Sequence, residues 1–265
     1  MSWRGRTRSE PMTITTIEPD WPAPAGVIAL STTRRGGCSR PPFDSFNLAL
    51  HVGDDAAAVA SNRAMLLEQL PPGTAVQWLT QVHGRMVVEA GRSDACPEAD
   101  ACWSAEPGVA CAVLTADCLP VLFCDRAGRK VAAAHAGWRG LLAGVVEAAV
   151  AAMAVDPGQL MAWLGPAIGP AAFEVGGEVR EAYLAETRSG AEFAQVESFF
   201  LPRRGSGGRY SADLCALARL RLQQAGVTAI FGGDECTYAD PDRFYSFRRD
   251  GATGRMASLV MLRTA

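Results

Sequence analysis

Residues 130–153 read KVAAAHAGWRGLLAGVVEAAVAAM and contain the clearest sign of how this chain folds. The first seven residues form a short run of mostly small apolar side chains, which is typical of a buried strand. Beyond Gly137, apolar side chains recur with the 3.6-residue period of a helix that packs on a core, from about Trp138 to Met153. A strand that leads directly into such a helix is a building unit of layered α/β proteins.

The same alternation of strands and helices continues on both sides of this unit. Strands are predicted at 26–33, 75–82, 109–115, 119–124, 160–164, 227–231 and 257–262, and helices at 54–70, 177–186 and 211–224. No stretch of linker composition divides the chain. We therefore predict a layered α/β (α+β) fold in a single domain over residues 13–265, preceded by a disordered, arginine-rich lead-in at residues 1–12.

Composition excludes several classes of function. Of the 265 residues, 49% are hydrophobic and 20% are charged, an ordinary globular balance. The net charge of −3 gives no basic excess for binding nucleic acid, and no apolar run is long enough to span a membrane. The N-terminus lacks the apolar stretch of a secretory signal, so we predict a cytoplasmic protein. In that compartment the eight cysteines are predicted to be free thiols.

Two histidines and one cysteine suggest a metal site. His83, Cys118 and His135 each lie where an apolar strand gives way to glycine, proline or a polar residue, and strand ends are where α/β folds expose functional side chains. Two imidazoles and a thiolate suit zinc, and three protein ligands leave a fourth position open, as in catalytic sites. The long separations along the chain leave a structural interpretation open, with satisfied strand-end histidines and a buried cysteine.

A second interpretation requires no metal. Cys118 with His83 or His135 could form a nucleophilic Cys–His pair, with Asp117 or Gln81 orienting the imidazole. The third histidine of the chain, His51, either contributes to ligand binding or fixes its own loop through hydrogen bonds.

Longer motifs make the comparison specific. The chain resembles the laccase-domain family, whose members were once called multicopper polyphenol oxidases and are now also described as purine nucleoside phosphorylases and peptidoglycan editing factors. The motifs that carry the resemblance occur in the same order as in the family. The matching stretches are TTRRGGCSRPPFDSFNLALHVGDD (32–55), Asn62-Arg63, TQVHG (80–84), ADACWSAEPGVACAVLTADCLPVLF (99–123), AAAHAGWRG (132–140), LGPAIGPAAFEVG (164–176) and CTYADPDRFYSFRRDGATGRMASLV (236–260).

The resemblance implies a Zn²⁺ site formed by His83, Cys118 and His135, with Cu²⁺ as a substitute. It implies a four-layer α/β/β/α arrangement similar to Cys–His hydrolases such as the catalytic domain of cytotoxic necrotizing factor. It also implies phosphorolysis of adenosine, inosine, guanosine and S-methyl-5′-thioadenosine, together with adenosine deamination. The expected partners are therefore purine nucleosides and phosphate. We expect a monomer, although the sequence does not determine the oligomeric state.

This chemistry requires an acid or base and a phosphate-binding group. Asp117 is a candidate for the first role, but successive strand residues face opposite ways, so it could instead be a buried partner of a ligand. Arg139, at the start of a helix, suits an anion. The full set of residues predicted to bind substrate or phosphate is Ser39, Asn47, Arg63, Gln81, Arg139 and Arg248.

Three histidines are too few for the several coppers of a true multicopper oxidase, so only slow oxidation of polyphenols by a copper-substituted site is expected. Two alternatives to the phosphorylase remain. One is a cytoplasmic Cys–His amidase that removes a wrong amino acid from a peptidoglycan precursor. The other is a non-enzymatic scaffold stabilised by zinc.

Overall fold

Runs of small and β-branched apolar residues form the central strands. The computed structural model describes residues 14–92, 95–203, 205 and 207–264, so the predicted lead-in at 1–12 lies outside the described residues. Within those ranges the strands are β1 (Thr16–Ile17), β2 (Val27–Thr32), β3 (Ala75–Gln77), β4 (Val87–Glu89), β5 (Ala101–Ser104), β6 (Val109–Thr115), β7 (Leu119–Asp125), β8 (Val131–Ala136), β9 (Leu160–Leu164), β10 (Glu174–Val175), β11 (Phe200–Pro202), β12 (Tyr210–Ala212), β13 (Ala229–Gly232) and β14 (Met256–Leu262).

The helices alternate with these strands and cover both outer faces of the molecule. In the described part of the chain they are α1 (Ala56–Glu68), α2 (Trp138–Ala143), α3 (Val145–Met153), α4 (Gly177–Ala185), α5 (Gly190–Ser198), α6 (Leu214–Gln224) and α7 (Phe247–Asp250). None of them is both long and apolar enough to cross a bilayer.

The strands form two large sheets and one small one. The first sheet has the order β13-β9-β7-β8-β5-β4, the second has the order β1-β2-β14-β6-β3, and β10-β12-β11 form the third. In the first sheet, β7 and β8 are antiparallel, with Leu119 opposite Ala136 and Pro120 opposite His135. This register places Cys118, the residue before β7, beside the end of β8.

Alternating side chains of the central strands divide the interior into layers. In β7, Val121 and Phe123 pack toward the helices α3 and α6, whereas Leu122 and Cys124 pack toward the second sheet. The far face of the second sheet is covered by α1, whose Leu66 joins a further apolar cluster. The layers therefore run helix, sheet, sheet, helices, the α/β/β/α order that the family resemblance implies.

One predicted helix is divided in two. The apolar period over 138–153 predicts a continuous helix, but α2 ends at Ala143 and α3 begins at Val145. Gly144 between them has φ +95°, a left-handed conformation that carries no steric cost for glycine. The break redirects α3, and both halves keep their apolar faces on the same core.

Other boundaries differ because tertiary contacts override local pattern. The predicted strand 75–82 ends at Gln77. The side-chain amide of Gln77 donates to the backbone carbonyls of Trp78 and Ala95, and the chain beyond Gln77 does not continue the pairing with β6. The helix predicted from 211 begins at Leu214, because Tyr210–Ala212 pairs with Phe200–Pro202 instead. Short strands such as β5 and the helix α5 were not predicted, since their patterns are brief.

Candidate metal centre

His83, Cys118 and His135 come from separate parts of the chain and meet at one point. Their ligand atoms all lie within 4.8 Å of one another. The Cys118 Sγ is 3.8 Å from His83 Nε2, and the two imidazole rings lie edge to face with centroids 4.8 Å apart. His135 is buried, Cys118 is half-buried and His83 is exposed. The cluster is therefore open to solvent on one side.

Unusual backbone conformations aim two of these side chains. His83 has φ +60° and Asp117, directly before Cys118, has φ +95°. Non-glycine residues rarely adopt this region, and such residues concentrate at functional sites. His135 instead lies in the regular strand β8, one residue before its end. One regular strand and two irregular turns thus build the centre.

Asp100 connects the two histidines. Its Oδ1 is 2.8 Å from His135 Nδ1 and accepts the backbone N–H of His83 at 2.9 Å. Its Oδ2 accepts the backbone N–H groups of Val82 and Gly84. The carboxylate is fully buried. It therefore holds the loop that carries His83 and leaves Nε2 of His135 facing the cluster.

Local charges shift the pKa values of the cluster in opposite directions. Burial raises the pKa of the Cys118 thiol, but the charge and hydrogen bonds of His135 and His83 outweigh it and lower the pKa to about 6. Burial lowers the pKa of His135, but Cys118 and Asp100 outweigh that effect and raise it to about 9. Without a metal, the centre at neutral pH is a thiolate beside an imidazolium.

The donor set fits a zinc ion. Zinc–sulfur and zinc–nitrogen bonds of about 2.3 and 2.0–2.1 Å place tetrahedral ligand atoms roughly 3.3–3.6 Å apart. The observed 3.8 Å between Cys118 Sγ and His83 Nε2 is close to this spacing. A carboxylate on the far nitrogen of a ligating histidine, as Asp100 provides for His135, is the usual supporting contact of zinc sites.

Two cavities meet at this cluster. One, of about 190 Å³, is lined by His83 and Cys118 together with Trp138 and Phe173; we call it the aromatic cavity. The other, of about 260 Å³, is lined by His83, Cys118 and His135 together with His51, Gln81 and Arg255; we call it the arginine cavity. The exposed side chain of Phe247 lines both. A ligand in either cavity would contact the cluster.

Three of the residues predicted to bind substrate line these cavities. Arg139 and Arg248 are exposed side chains of the aromatic cavity. Arg139 stacks on Trp138, and Arg248 donates to the carbonyl of Glu174. Gln81 lies in the arginine cavity, but its amide both donates to and accepts from the backbone of Leu114.

The other three lie in a hydrogen-bond network outside both cavities. Ser39 and Asn47 are buried, and both donate to the carboxylate of Asp54. Arg63 donates to the carbonyl of Leu48 and stacks over Trp78 at 4.1 Å, beside a different cavity. In this conformation these side chains hold the 39–63 region together.

The carboxylate of Asp117 points away from the cluster. Its Oδ1 accepts from the hydroxyl of Thr237 at 2.7 Å, and its Oδ2 accepts the backbone N–H of Arg248 at 2.7 Å. The alternative in which Asp117 supports its neighbours is therefore the one that matches the observed contacts. It attaches the short helix α7, and with it Phe247, to the turn that carries Cys118.

Two residues of the centre were missed in the sequence. Asp100 and Arg255 lie inside quoted motifs, but neither occurs beside a histidine or cysteine in the chain. Only the pairing of β5 with β8 brings Asp100 to His135, since Ala101 lies opposite Ala134. His51, whose role was left open, lines the arginine cavity.

Comparison with known proteins gives consistent results. The family model described as "Multi-copper polyphenol oxidoreductase laccase" matches residues 28–263. A purine nucleoside phosphorylase of Pseudomonas aeruginosa is 57% identical over 246 residues, which cover 93% of this chain and 98% of the relative. The purine nucleoside phosphorylase YfiH of Escherichia coli is 53% identical over 248 residues, covering 93% and 98%.

A solved structure is similar over the same length. The crystal structure of a protein from Neisseria meningitidis superimposes with a TM-score of 0.87 and 49% identity, covering 95% of this chain and all of that one. The matched region includes every residue of the candidate metal centre.

Proposed function

The chain belongs to the multi-copper polyphenol oxidoreductase laccase family, and on this basis we propose that it is a zinc-dependent purine nucleoside phosphorylase. Relatives that are 57% and 53% identical to it over 93% of its length carry the name purine nucleoside phosphorylase. The observation that carries the proposal is the convergence of His83, Cys118 and His135 where two cavities meet. Phosphorolysis has two substrates, a nucleoside and phosphate, and needs both beside one reactive centre.

Zinc is the metal we propose for this centre. Two imidazoles and a thiolate, with no fourth protein ligand within the described residues, match a catalytic rather than a structural zinc site. A bound ion supplies a Lewis acid next to both cavities. Asp100 keeps Nε2 of His135 free for the ion through its contact with Nδ1. Copper can occupy the same ligand set, which would account for oxidation of polyphenols as a side activity.

The aromatic cavity suits the purine. Trp138, Phe173 and Phe247 offer ring faces and edges to a flat heterocycle. We propose adenosine, inosine, guanosine and S-methyl-5′-thioadenosine as the nucleosides. We further propose deamination of adenosine, because a metal-activated water next to this cavity could reach the exocyclic amine carbon of adenine. The family membership supports these substrates, and each can be assayed separately.

We propose that the enzyme works in the cytoplasm as a monomer, with residues 13–265 forming the catalytic domain. All eight cysteines are free, which suits a reducing compartment.

The test is to incubate zinc-loaded protein with adenosine in the presence and absence of inorganic phosphate. We expect adenine and ribose 1-phosphate only when phosphate is present, and inosine in both cases. The Cys118→Ala variant should stay folded and lose turnover. If zinc-loaded protein forms neither adenine nor inosine, the proposal is wrong.

A second candidate function is supported by the electrostatics of the centre. A cysteine whose pKa is about 6, beside an imidazole that Asp100 orients, is the arrangement of a Cys–His nucleophile. The α/β/β/α layers are also those expected from the proposed similarity to Cys–His hydrolases of the cytotoxic necrotizing factor type. The corresponding activity is an amidase that edits peptidoglycan precursors.

Metal dependence separates the two candidates. The amidase predicts hydrolysis of a nucleotide-linked muramoyl–serine bond by protein from which zinc has been removed. The phosphorylase predicts that zinc-free protein is inactive on nucleosides and recovers when zinc is added back. Amide hydrolysis by the zinc-free form, with no phosphorolysis by the zinc-loaded form, would favour the amidase.

A further inference from the structure

We infer that Arg255 holds the anionic co-substrate, inorganic phosphate, in the arginine cavity. This inference rests on the proposed function. It identifies which arginine binds the anion, a question that the sequence leaves open among Arg63, Arg139 and Arg248.

The guanidinium of Arg255 is half-buried and forms no ion pair within the described chain, although Cys118 and Asp117 lie near enough to act on its charge. Its Nη1 donates to the backbone carbonyls of Thr253 and Gly254 at 2.8 and 3.0 Å. Within the described ranges, Nε and Nη2 donate to no protein acceptor, and no carboxylate pairs with the group. The Cζ lies 5.8 Å from the centroid of the Phe247 ring. A partly desolvated cation with two donor atoms unused is unfavourable, so the site favours an anion that supplies the missing acceptors. The planar guanidinium suits two parallel hydrogen bonds to a phosphate.

The position of Arg255 matches the reaction. The arginine cavity is lined by all three candidate metal ligands, whereas the aromatic cavity is lined by His83 and Cys118 alone. Three histidines and Arg255 line the arginine cavity, and no aspartate or glutamate of the described chain does so. The aromatic cavity is lined by Asp117 as well as by Arg139 and Arg248. The arginine cavity therefore offers an anion a guanidinium with no carboxylate among the lining residues.

The competing arginines are placed less well. Arg139 and Arg248 are exposed, so water screens their charges, and both line the cavity that has the aromatic side chains. Arg63 lies beside a separate cavity and is already engaged with Leu48 and Trp78. Arg255 is the one arginine in the cavity that faces the whole ligand set.

This placement defines the orientation of the two substrates. The purine occupies the aromatic cavity and phosphate occupies the arginine cavity, with the ribose between them at the cluster. In the reaction, a phosphate oxygen forms a bond to the anomeric carbon as the glycosidic C–N bond breaks. The purine leaves with the bonding electron pair and takes up the proton that the attacking phosphate gives up, so that free purine and ribose 1-phosphate are formed. Arg255 neutralises the phosphate charge and does not itself react.

The kinetic test compares Arg255→Gln and Arg255→Lys with Arg139→Gln and Arg248→Gln in zinc-loaded protein. Loss of charged hydrogen bonds predicts that Arg255→Gln raises the KM for phosphate about 10- to 100-fold. Arg255→Lys keeps the charge without the paired donors and should give a smaller increase. The KM for the nucleoside, and deamination, which uses water instead of phosphate, should change much less. A merely structural role would impair both reactions equally.

Direct binding separates this inference from the proposed function. Titration of inorganic phosphate by ³¹P NMR in the absence of nucleoside should show binding to the wild type and weaker binding to Arg255→Gln. That result without any phosphorolysis would refute the phosphorylase while keeping the anion site. Unchanged phosphate binding in both Arg255 variants would overturn the inference, as would a larger effect of Arg139→Gln or Arg248→Gln. If Arg255→Gln fails to fold, Arg255→Lys decides by the same two measurements.

Discussion

At the scale of single residues, the centre depends on the buried carboxylate of Asp100, which contacts the ring of His135 and the backbone of His83. Asp100 fixes the backbone of the His83 loop and the tautomer of His135 at the same time. A ligating histidine whose far nitrogen is held by a carboxylate is both oriented and made more basic. Asp100 would therefore position the ligands of the proposed metal.

We predict that Asp100→Asn weakens zinc binding about 10- to 100-fold, because the amide cannot accept all the N–H groups that the carboxylate accepts. Competition with a chromophoric chelator measures this affinity. The control is Asp125→Asn. Asp125 is equally buried but accepts from the backbone of Arg129 and Lys130. The control should lose stability and keep its zinc affinity. Equal zinc affinities in both variants would contradict the role given to Asp100.

The reactivity of Cys118 should follow its lowered pKa. In zinc-free protein the thiolate fraction, and with it the rate of alkylation by iodoacetamide, should rise with pH around a midpoint near 6 and be level above pH 7. Exposed Cys38 and Cys96 are alkylated in the same samples and serve as internal references for the reaction. Peptide mass spectrometry separates the three sites. A midpoint for Cys118 near that of an ordinary thiol would contradict the assigned electrostatics.

At the scale of elements, the connection from β8 to α2 sets the space available to the ligands. Gly137 lies between His135 and the helix, and a Cβ placed there would lie 2.9 Å from Cys118 Sγ and 3.0 Å from His83 Cδ2. Because Cys118 and His83 approach the backbone this closely, position 137 has space for a glycine but not for a larger side chain. The backbone of one β–α turn thus forms part of the wall of the metal centre.

We predict that Gly137→Ala displaces Cys118 and His83 and lowers zinc affinity about tenfold or more, as overpacking typically costs about 1–3 kcal/mol. Isothermal titration of zinc into metal-free protein measures the loss. Gly190→Ala is the matched control, because nothing lies within 4 Å of its added Cβ at the start of α5. If Gly137→Ala binds zinc as tightly as the wild type, the predicted clash with Cys118 and His83 does not occur and the prediction is wrong.

At the scale of the whole molecule, the apolar core lies apart from the three proposed metal ligands. Separate apolar clusters fill the space between the sheets and beneath each helical layer. His83, Cys118 and His135 lie at the edge of these layers, where two cavities open. We therefore expect the apolar clusters to stabilise the fold, with the three ligand residues contributing little to its stability.

Removal of zinc by a chelator should abolish phosphorolysis and leave a cooperatively folded protein. A ligand present at 100 times its Kd stabilises by about 2.7 kcal/mol, so we expect Tm to fall by about 5–10 °C. Differential scanning calorimetry measures the shift, and zinc should reverse it. Cys118→Ala should start near the lower Tm and respond little to the chelator. Complete unfolding of the wild type would instead favour the zinc-stabilised scaffold.

Local pattern predicted the long elements of this chain well. The strands β6, β7, β8 and β9 match their predicted ranges within a residue, because each is an apolar run buried on both faces. The early end of β3 was not predicted, since it follows a contact of Gln77 with Ala95, which is distant in the sequence. The break at Gly144 was not predicted either, because the apolar period continues across this glycine and only its left-handed backbone reveals the break.

The sequence by itself predicted the layered class of fold, because hydrophobic period is a local property, and its family motifs implied the three side chains that we propose as metal ligands. Only the tertiary structure decided that Asp100 supports His135, that Asp117 faces Thr237, and that Arg255 shares a cavity with the ligands. These relations depend on strand register and chain reversal, which bring together residues that no local pattern connects.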